Sequence, residues 1–182
     1  MPSRTRKSVT NVFSVFLKRL SWVLSGHRLD DENLKSPLFA HALRGETRSL
    51  FIRHLDCGSC NGCELELSLL TNPVYDAGRY GVSFVASPRH ADALVMTGAF
   101  TRNLEEAALA TLQAMPKPHI IAIGDCAIDG GIFRDSYAVV SERPTEIMQA
   151  MRATVPGCPP PPDHILSALL DLDLKRFTPP GS

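Results

Sequence analysis

Pro118-His119-Ile120-Ile121-Ala122-Ile123-Gly124 is an apolar run of strand length, closed at both ends by residues that break regular structure. A strand with apolar residues at successive positions, and no alternation with polar ones, is buried on both faces. Such strands belong to parallel sheets covered by helices. Outward from this run the same rhythm repeats. Ser49–His54, Val82–Ala86 and Ala93–Met96 read as further short β-type runs. Glu64–Leu70, Leu104–Met115, Pro144–Ala153 and Asp163–Leu172 read as helices, the second closed by Pro116. Strands alternating with helices predict an α/β layered domain with a mainly parallel sheet.

In sheets of this kind ligands sit beyond the carboxyl ends of the strands, and the cysteines follow that rule. Cys57, Cys60 and Cys63 come after the first strand, Cys126 comes three residues after Ile123, and Cys158 lies in a loop of Gly and Pro. Loops far apart in sequence are therefore expected to converge at one edge of the sheet.

The rest of the chain limits the function. Its 182 residues carry 19 Lys+Arg against 19 Asp+Glu, so the basic excess of a nucleic-acid binder is missing. Hydrophobic residues at 44% are the proportion of a packed core. No stretch approaches the ~18 uninterrupted apolar residues of a simple membrane span. Residues 1–29 are basic, with no acid before Asp30. Val12, Phe13, Phe16, Leu17, Leu20, Val23 and Leu24 recur at helical spacing, so an amphipathic helix is expected there. It suits a membrane surface, a partner's groove or this protein's own core. The expected organisation is a helix and linker over 1–47, an α/β domain over 48–175 and a tail over 176–182.

Five cysteines cannot pair completely, and no secretory signal is read at the N-terminus, so reduced thiols are expected. A structural zinc site usually draws its ligands as two close pairs, whereas here one cluster is followed by two single cysteines. A zinc-stabilised assembly protein without a redox role is the alternative from another class. A [4Fe-4S] cluster needs four thiolates, and Cys-x-x-Cys grips it from one tight loop. A bacterial ferredoxin would place its fourth cysteine where this chain has Leu67. The remaining ligands must then be Cys126 and Cys158, and five thiols for four sites leave one spare.

Three segments now carry a family resemblance: Cys57-Gly-Ser-Cys-Asn-Gly-Cys-Glu-Leu-Glu66, Gly124-Asp-Cys-Ala-Ile-Asp-Gly-Gly131 and Gly157-Cys-Pro-Pro-Pro-Pro162. In this order they resemble the small subunit of membrane-bound, energy-converting [NiFe] hydrogenases of the formate-hydrogenlyase and CO-induced type. Those subunits are homologous to the 20 kDa subunit of respiratory complex I, and the resemblance covers about residues 48–172. It implies a flavodoxin-like three-layer domain binding one [4Fe-4S] cluster through Cys60, Cys63, Cys126 and Cys158, with Cys57 outside the ligand set. Complex I subunits carry two adjacent cysteines, whereas Cys60-Asn-Gly-Cys63 follows the hydrogenase spacing.

The implied role is electron transfer. The implied partners are a large subunit with the Ni–Fe site, a ferredoxin-like iron–sulfur subunit and the subunits of a membrane arm. Neither the export signal nor the second domain of periplasmic relatives is read, which places the expectation at the cytoplasmic face. The same-class alternative is a complex I-like subunit donating electrons to quinone. Glu66 resembles a carboxylate that the family keeps beside the cluster for proton transfer or tuning; the plainer reading is a solvated helix face. Glu64 is expected at the surface, and Asp125, Asp129, Gly130 and Gly131 in turns or caps. His54, His90, His119 and His164 lack ligand spacing, Ser136 and Ser141 lack nucleophile partners, and no phosphate loop or dinucleotide fingerprint is present.

Overall fold

Strands buried on both faces need helices above and below, and the computed structural model, which describes residues 49–175, meets that need. The strands are β1 Leu50–Asp56, β2 Val82–Phe84, β3 Ala93–Thr97, β4 Ile120–Ile123 and β5 Met151–Val155. Between and after them come α1 Gly62–Leu69, α2 Arg102–Gln113, α3 Asp125–Asp129, α4 Thr145–Ala150 and α5 Pro162–Lys175. The sheet order is β2-β1-β3-β4-β5, and every neighbouring pair is parallel. This is the doubly wound order of flavodoxin-like domains, so the sequence expectation of an α/β domain holds. The order reverses between β1 and β3, where Asp56 pairs with Thr97 at the carboxyl edge. Ligands of doubly wound sheets bind at such a switch point.

Burial explains the strand order. All residues of β3 and β4 are buried, whereas β2 and β5, at the sheet's two edges, show exposed positions. On one face Leu94, Met96 and Ile120 pack with Ala108 and Leu112 of α2 and Ile147 and Ala150 of α4. On α5, Ile165, Leu166, Leu169 and Leu170 are buried, and α5 packs against α1 and β5. Each fully buried aliphatic side chain contributes about 1.5–3 kcal/mol, so the central strands anchor the domain.

The structure corrects one expected element. The helix read over Pro144–Ala153 ends at Ala150, and Met151 starts β5. Arg152 and Thr154 of β5 are exposed and Val155 is buried, the alternation of an edge strand. Pairing with β4 supplies backbone partners that no local pattern announces, so tertiary context overrides the helical reading. The N-terminal amphipathic helix, the linker and the C-terminal tail lie outside the described residues. No helix of the described residues is long and apolar enough to cross a membrane.

Candidate metal centre

The first cysteine loop is shaped by Asp56. Its Oδ1 accepts the backbone N–H groups of Gly58 and Ser59, both at 2.8 Å, a turn that bends the chain directly after β1. Cys57 inside this turn donates its N–H to Thr97 O and accepts from Thr101 N–H, both at 2.9 Å. Its thiol is fully buried in the core with Phe100, Leu94 and Met96. Beyond it, Asn61 adopts a left-handed conformation, φ 72°, and starts α1, which carries Cys63 in its first turn. Cys60 is exposed and Cys63 half-buried.

The second and third loops are joined by a reciprocal pair. Asp125 N–H donates to Gly157 O at 2.9 Å, and Gly157 N–H donates back to Asp125 Oδ1 at 2.8 Å. Cys126, next to Asp125 on α3, and Cys158, next to Gly157, are thereby held in fixed relation. Gly124 closes the gap to the first loop. Its φ is +87°, and a Cβ there would stand 2.5 Å from Cys63 Sγ. Cβ atoms on Gly131 and Gly62 would stand 3.1 Å from Cys126 Sγ and 3.5 Å from Cys60 Sγ. Glycine backbone therefore packs directly against the sulfurs of Cys60, Cys63 and Cys126, where a larger residue would displace them.

Electrostatics separates the five thiols into two groups. Burial pushes the Cys63 thiol up to about 12, and Glu64, Cys126, Cys60 and Cys158 add to the rise. Cys126 is raised by burial, then by Cys158, Cys60 and Asp125, against a backbone N–H of Ile132 that favours its thiolate. Four sulfurs thus lie within each other's electrostatic reach. Cys57 is also pushed up to about 12, but by burial and Asp56, with Arg143 opposing and no other cysteine involved. Ionising four thiols side by side requires a strongly cationic group among them. A set of soft sulfurs with glycine around it fits an iron–sulfur cluster. Among the described residues, no three His, Cys, Asp or Glu side chains draw together as tightly as a single metal ion requires.

Comparison with known proteins rests on this same region. The profile of the NADH ubiquinone oxidoreductase, 20 Kd subunit, family matches residues 60–172, more than half of the chain. The chain belongs to that family. Among relatives, formate hydrogenlyase subunit 7 of Escherichia coli is 43% identical over 133 residues, covering 72% of this chain and 51% of the relative. This chain thus spans about half the length of that protein. The probable membrane-bound hydrogenase subunit mbhJ of Pyrococcus furiosus is 40% identical over 124 residues, covering 68% of this chain and 73% of the relative. Among solved structures, a chain of an archaeal membrane-bound sulfane sulfur reductase superposes with a TM-score of 0.57 at 28% identity. That match covers 75% of this chain and 73% of the other.

Around the sulfurs, this family member departs from the sequence expectations at Glu64. Glu64, expected at the surface, has a side chain only 16% exposed. It accepts a hydrogen bond from Thr97 Oγ1, which also lies 3.0 Å from His54 Nε2. Burial lowers the His54 pKa, with Arg53 adding, while Glu64 and Asp56 oppose the shift. Helical spacing marks Glu64 only as a flank of α1; the pairing of β1 with β3 is what brings Thr97 within its reach. Glu66 is half-buried, and its side chain makes no hydrogen bond among the described residues. Asp129 serves a turn as expected, accepting from Gly131 N–H at 2.9 Å and pairing with Arg134.

Two positioning residues escaped the sequence reading. Asp56 had a signal, an acidic residue two places before glycine at a strand end. Arg143 had none. It comes from 17 residues beyond Cys126 to donate to the Cys126 carbonyl. In the segments that follow Cys63 and Cys126, Leu65, Ile132 and Tyr137 are exposed by 59%, 80% and 91%.

Proposed function

We propose that this chain is the electron-transfer small subunit of a membrane-bound [NiFe] hydrogenase and holds one [4Fe-4S] cluster through Cys60, Cys63, Cys126 and Cys158. The observation that supports the reading is that four thiols from three loops act on one another electrostatically at the carboxyl edge of the sheet, with glycine packed against three of them. A bound cluster supplies one-electron transfer. The chain's own residues hold and orient the sulfurs, cover Cys63 and Cys126 in part, and donate the Ile132 N–H toward Cys126. Such hydrogen bonds and burial set the potential of a cluster. Glu66, three residues beyond Cys63, is the candidate for proton transfer or tuning.

The proposed partners are a large subunit bearing the Ni–Fe site, a ferredoxin-like iron–sulfur subunit and membrane-arm subunits, at the cytoplasmic face of the membrane. The exposed Leu65, Ile132 and Tyr137 suit burial against the large subunit. A complex I-like subunit reducing quinone is the second reading, favoured by the family to which the chain belongs. The spaced Cys60–Cys63 pair and the 43% identity to formate hydrogenlyase subunit 7 favour hydrogenase.

The test is to purify the native complex anaerobically, measure iron and nickel, and record the EPR spectrum of the reduced state. Cluster iron in this chain with nickel near one atom per complex is the expected result. A cluster without nickel would overturn the hydrogenase reading in favour of quinone or a related acceptor. Zinc in place of iron would overturn both.

A further inference from the structure

Arg143 is a half-buried cation whose hydrogen bonds all lead to the segment carrying Cys126. One guanidinium nitrogen, Nη1, donates to Ala127 O at 2.5 Å, and the other, Nη2, reaches Cys126 O at 3.4 Å. Its Cζ lies 5.7 Å from the centre of the Phe100 ring. Phe100 is fully buried and held at a left-handed φ of 54°, and its carbonyl accepts from Val140 N–H at 3.1 Å. Arg143 makes no ion pair among the described residues, whereas Arg134 on the same loop is paired with Asp129. A desolvated cation is costly unless negative charge faces it; Asp129, already paired with Arg134, is the carboxylate within electrostatic reach of Arg143.

We propose that Arg143 is the positioning residue for Cys126 and that its positive charge, held against the Cys126 and Ala127 carbonyls, raises the reduction potential of the cluster held there. This rests on the four-cysteine reading above. The planar guanidinium suits the task because it spans two successive carbonyls at once, which an ammonium cannot do with fixed geometry. Those carbonyls belong to α3, a helix of only five residues with little stability of its own. Clamping them fixes where the Cys126 sulfur points. A cluster with four thiolates is anionic and gains one more negative charge on reduction. A nearby positive charge therefore favours the reduced form.

The experiment uses the full chain in its complex, with Arg143→Gln, Arg143→Lys and, as control, Arg134→Gln. Iron per protein and the midpoint of an EPR-monitored redox titration are read for each. Arg143 lines a cleft of about 580 Å³, so shorter side chains meet open space and the fold is expected to survive. The glutamine keeps a donor for one carbonyl but removes the charge. Its midpoint should become more negative, by on the order of a tenfold change in the reduced-to-oxidised ratio, or about 59 mV. The lysine keeps the charge, so its midpoint should stay close to the parent while cluster iron is lost faster to a chelator. Arg134→Gln should change neither reading.

An unchanged midpoint in Arg143→Gln, or equal shifts in the glutamine and lysine variants, would overturn the electrostatic role. Chelator resistance unchanged in Arg143→Lys would overturn the positioning role. Should Arg143→Gln lose its cluster while Arg143→Lys keeps a parental midpoint, the need for the charge is supported; loss in both would overturn the electrostatic claim. A parent chain with no iron–sulfur signal would instead refute the four-cysteine reading itself.

Discussion

Replacing Gly124 with alanine tests the packing of glycine against the sulfurs directly. The residue sits at φ +87°, where a side chain is strained, and the new Cβ would stand 2.5 Å from Cys63 Sγ and 3.5 Å from Gly157 O. Ordinary contact between such atoms is roughly 3.5–4.0 Å, so the sulfur or the backbone must move by about 1 Å. The left-handed backbone costs about 1–2 kcal/mol for a residue with a Cβ. Overpacking a site without slack costs about 1–3 kcal/mol more. Together the loss is about 2–5 kcal/mol, which for a chain of this size lowers the melting temperature by roughly 4–20 °C. The assay pairs thermal unfolding of the metal-free chain with iron content after reconstitution. Gly124→Ala should melt earlier and bind much less iron than the parent. Gly78→Ala is the control, because its Cβ would meet only Asp76 Oδ1 at 3.6 Å at an unstrained φ. Full iron and an unchanged melting temperature in Gly124→Ala would refute the idea that Cys63 and the β4–α3 loop close around one site.

Other outcomes follow from the same geometry. Serine at Cys60, Cys63, Cys126 or Cys158 should abolish most cluster iron, whereas Cys57→Ser should retain it and lose about 1–3 kcal/mol of stability, since a hydroxyl replaces a fully buried thiol; iron analysis beside chemical denaturation reads both. The Cys57 thiol, pushed up to about 12, stays protonated at pH 8, so iodoacetamide should label the exposed Cys60 and Cys158 of the metal-free chain and spare Cys57 until it unfolds. The sign of the linked stability is fixed too: below the usual thiol value of 9.0 the Cys57 proton is bound in both states, and above it only the folded chain retains that proton. Its contribution is therefore lost as pH rises from about 9 to about 12, visible as alkaline destabilisation that Cys57→Ala lacks. Asp125→Ala should cost about 1.5–3 kcal/mol and weaken iron retention by freeing the Cys158 loop, while Asp125→Asn, which keeps an acceptor for Gly157 N–H, should stay near the parent in the same denaturation and iron assays.

Much of the fold was legible because local physics imposed it. The unbroken apolar run ending at Ile123 admits a buried strand, and a buried strand demands helices on both sides. The clustering of cysteines after strand ends likewise predicted convergence, because chains in a parallel sheet all leave β-strands at the same edge. Strand β5 was not legible. Its alternating exposure is short, follows α4 without a breaker, and becomes a strand only through hydrogen bonds to β4.

The site divides in the same way. By itself the sequence determined which residue types were present and in what order: thiols after strands, glycines beside them, an acidic residue poised to turn the chain at Asp56. Only the tertiary structure decided that Cys57 enters the core while four other thiols share one field, since both outcomes satisfy the same local spacing. It also decided that Glu64 meets Thr97, that Asp125 grips Gly157, and that Arg143 reaches the Cys126 carbonyl. Each of these contacts joins residues more than a dozen positions apart, where sheet register and loop closure, not periodicity along the chain, set which side chains meet.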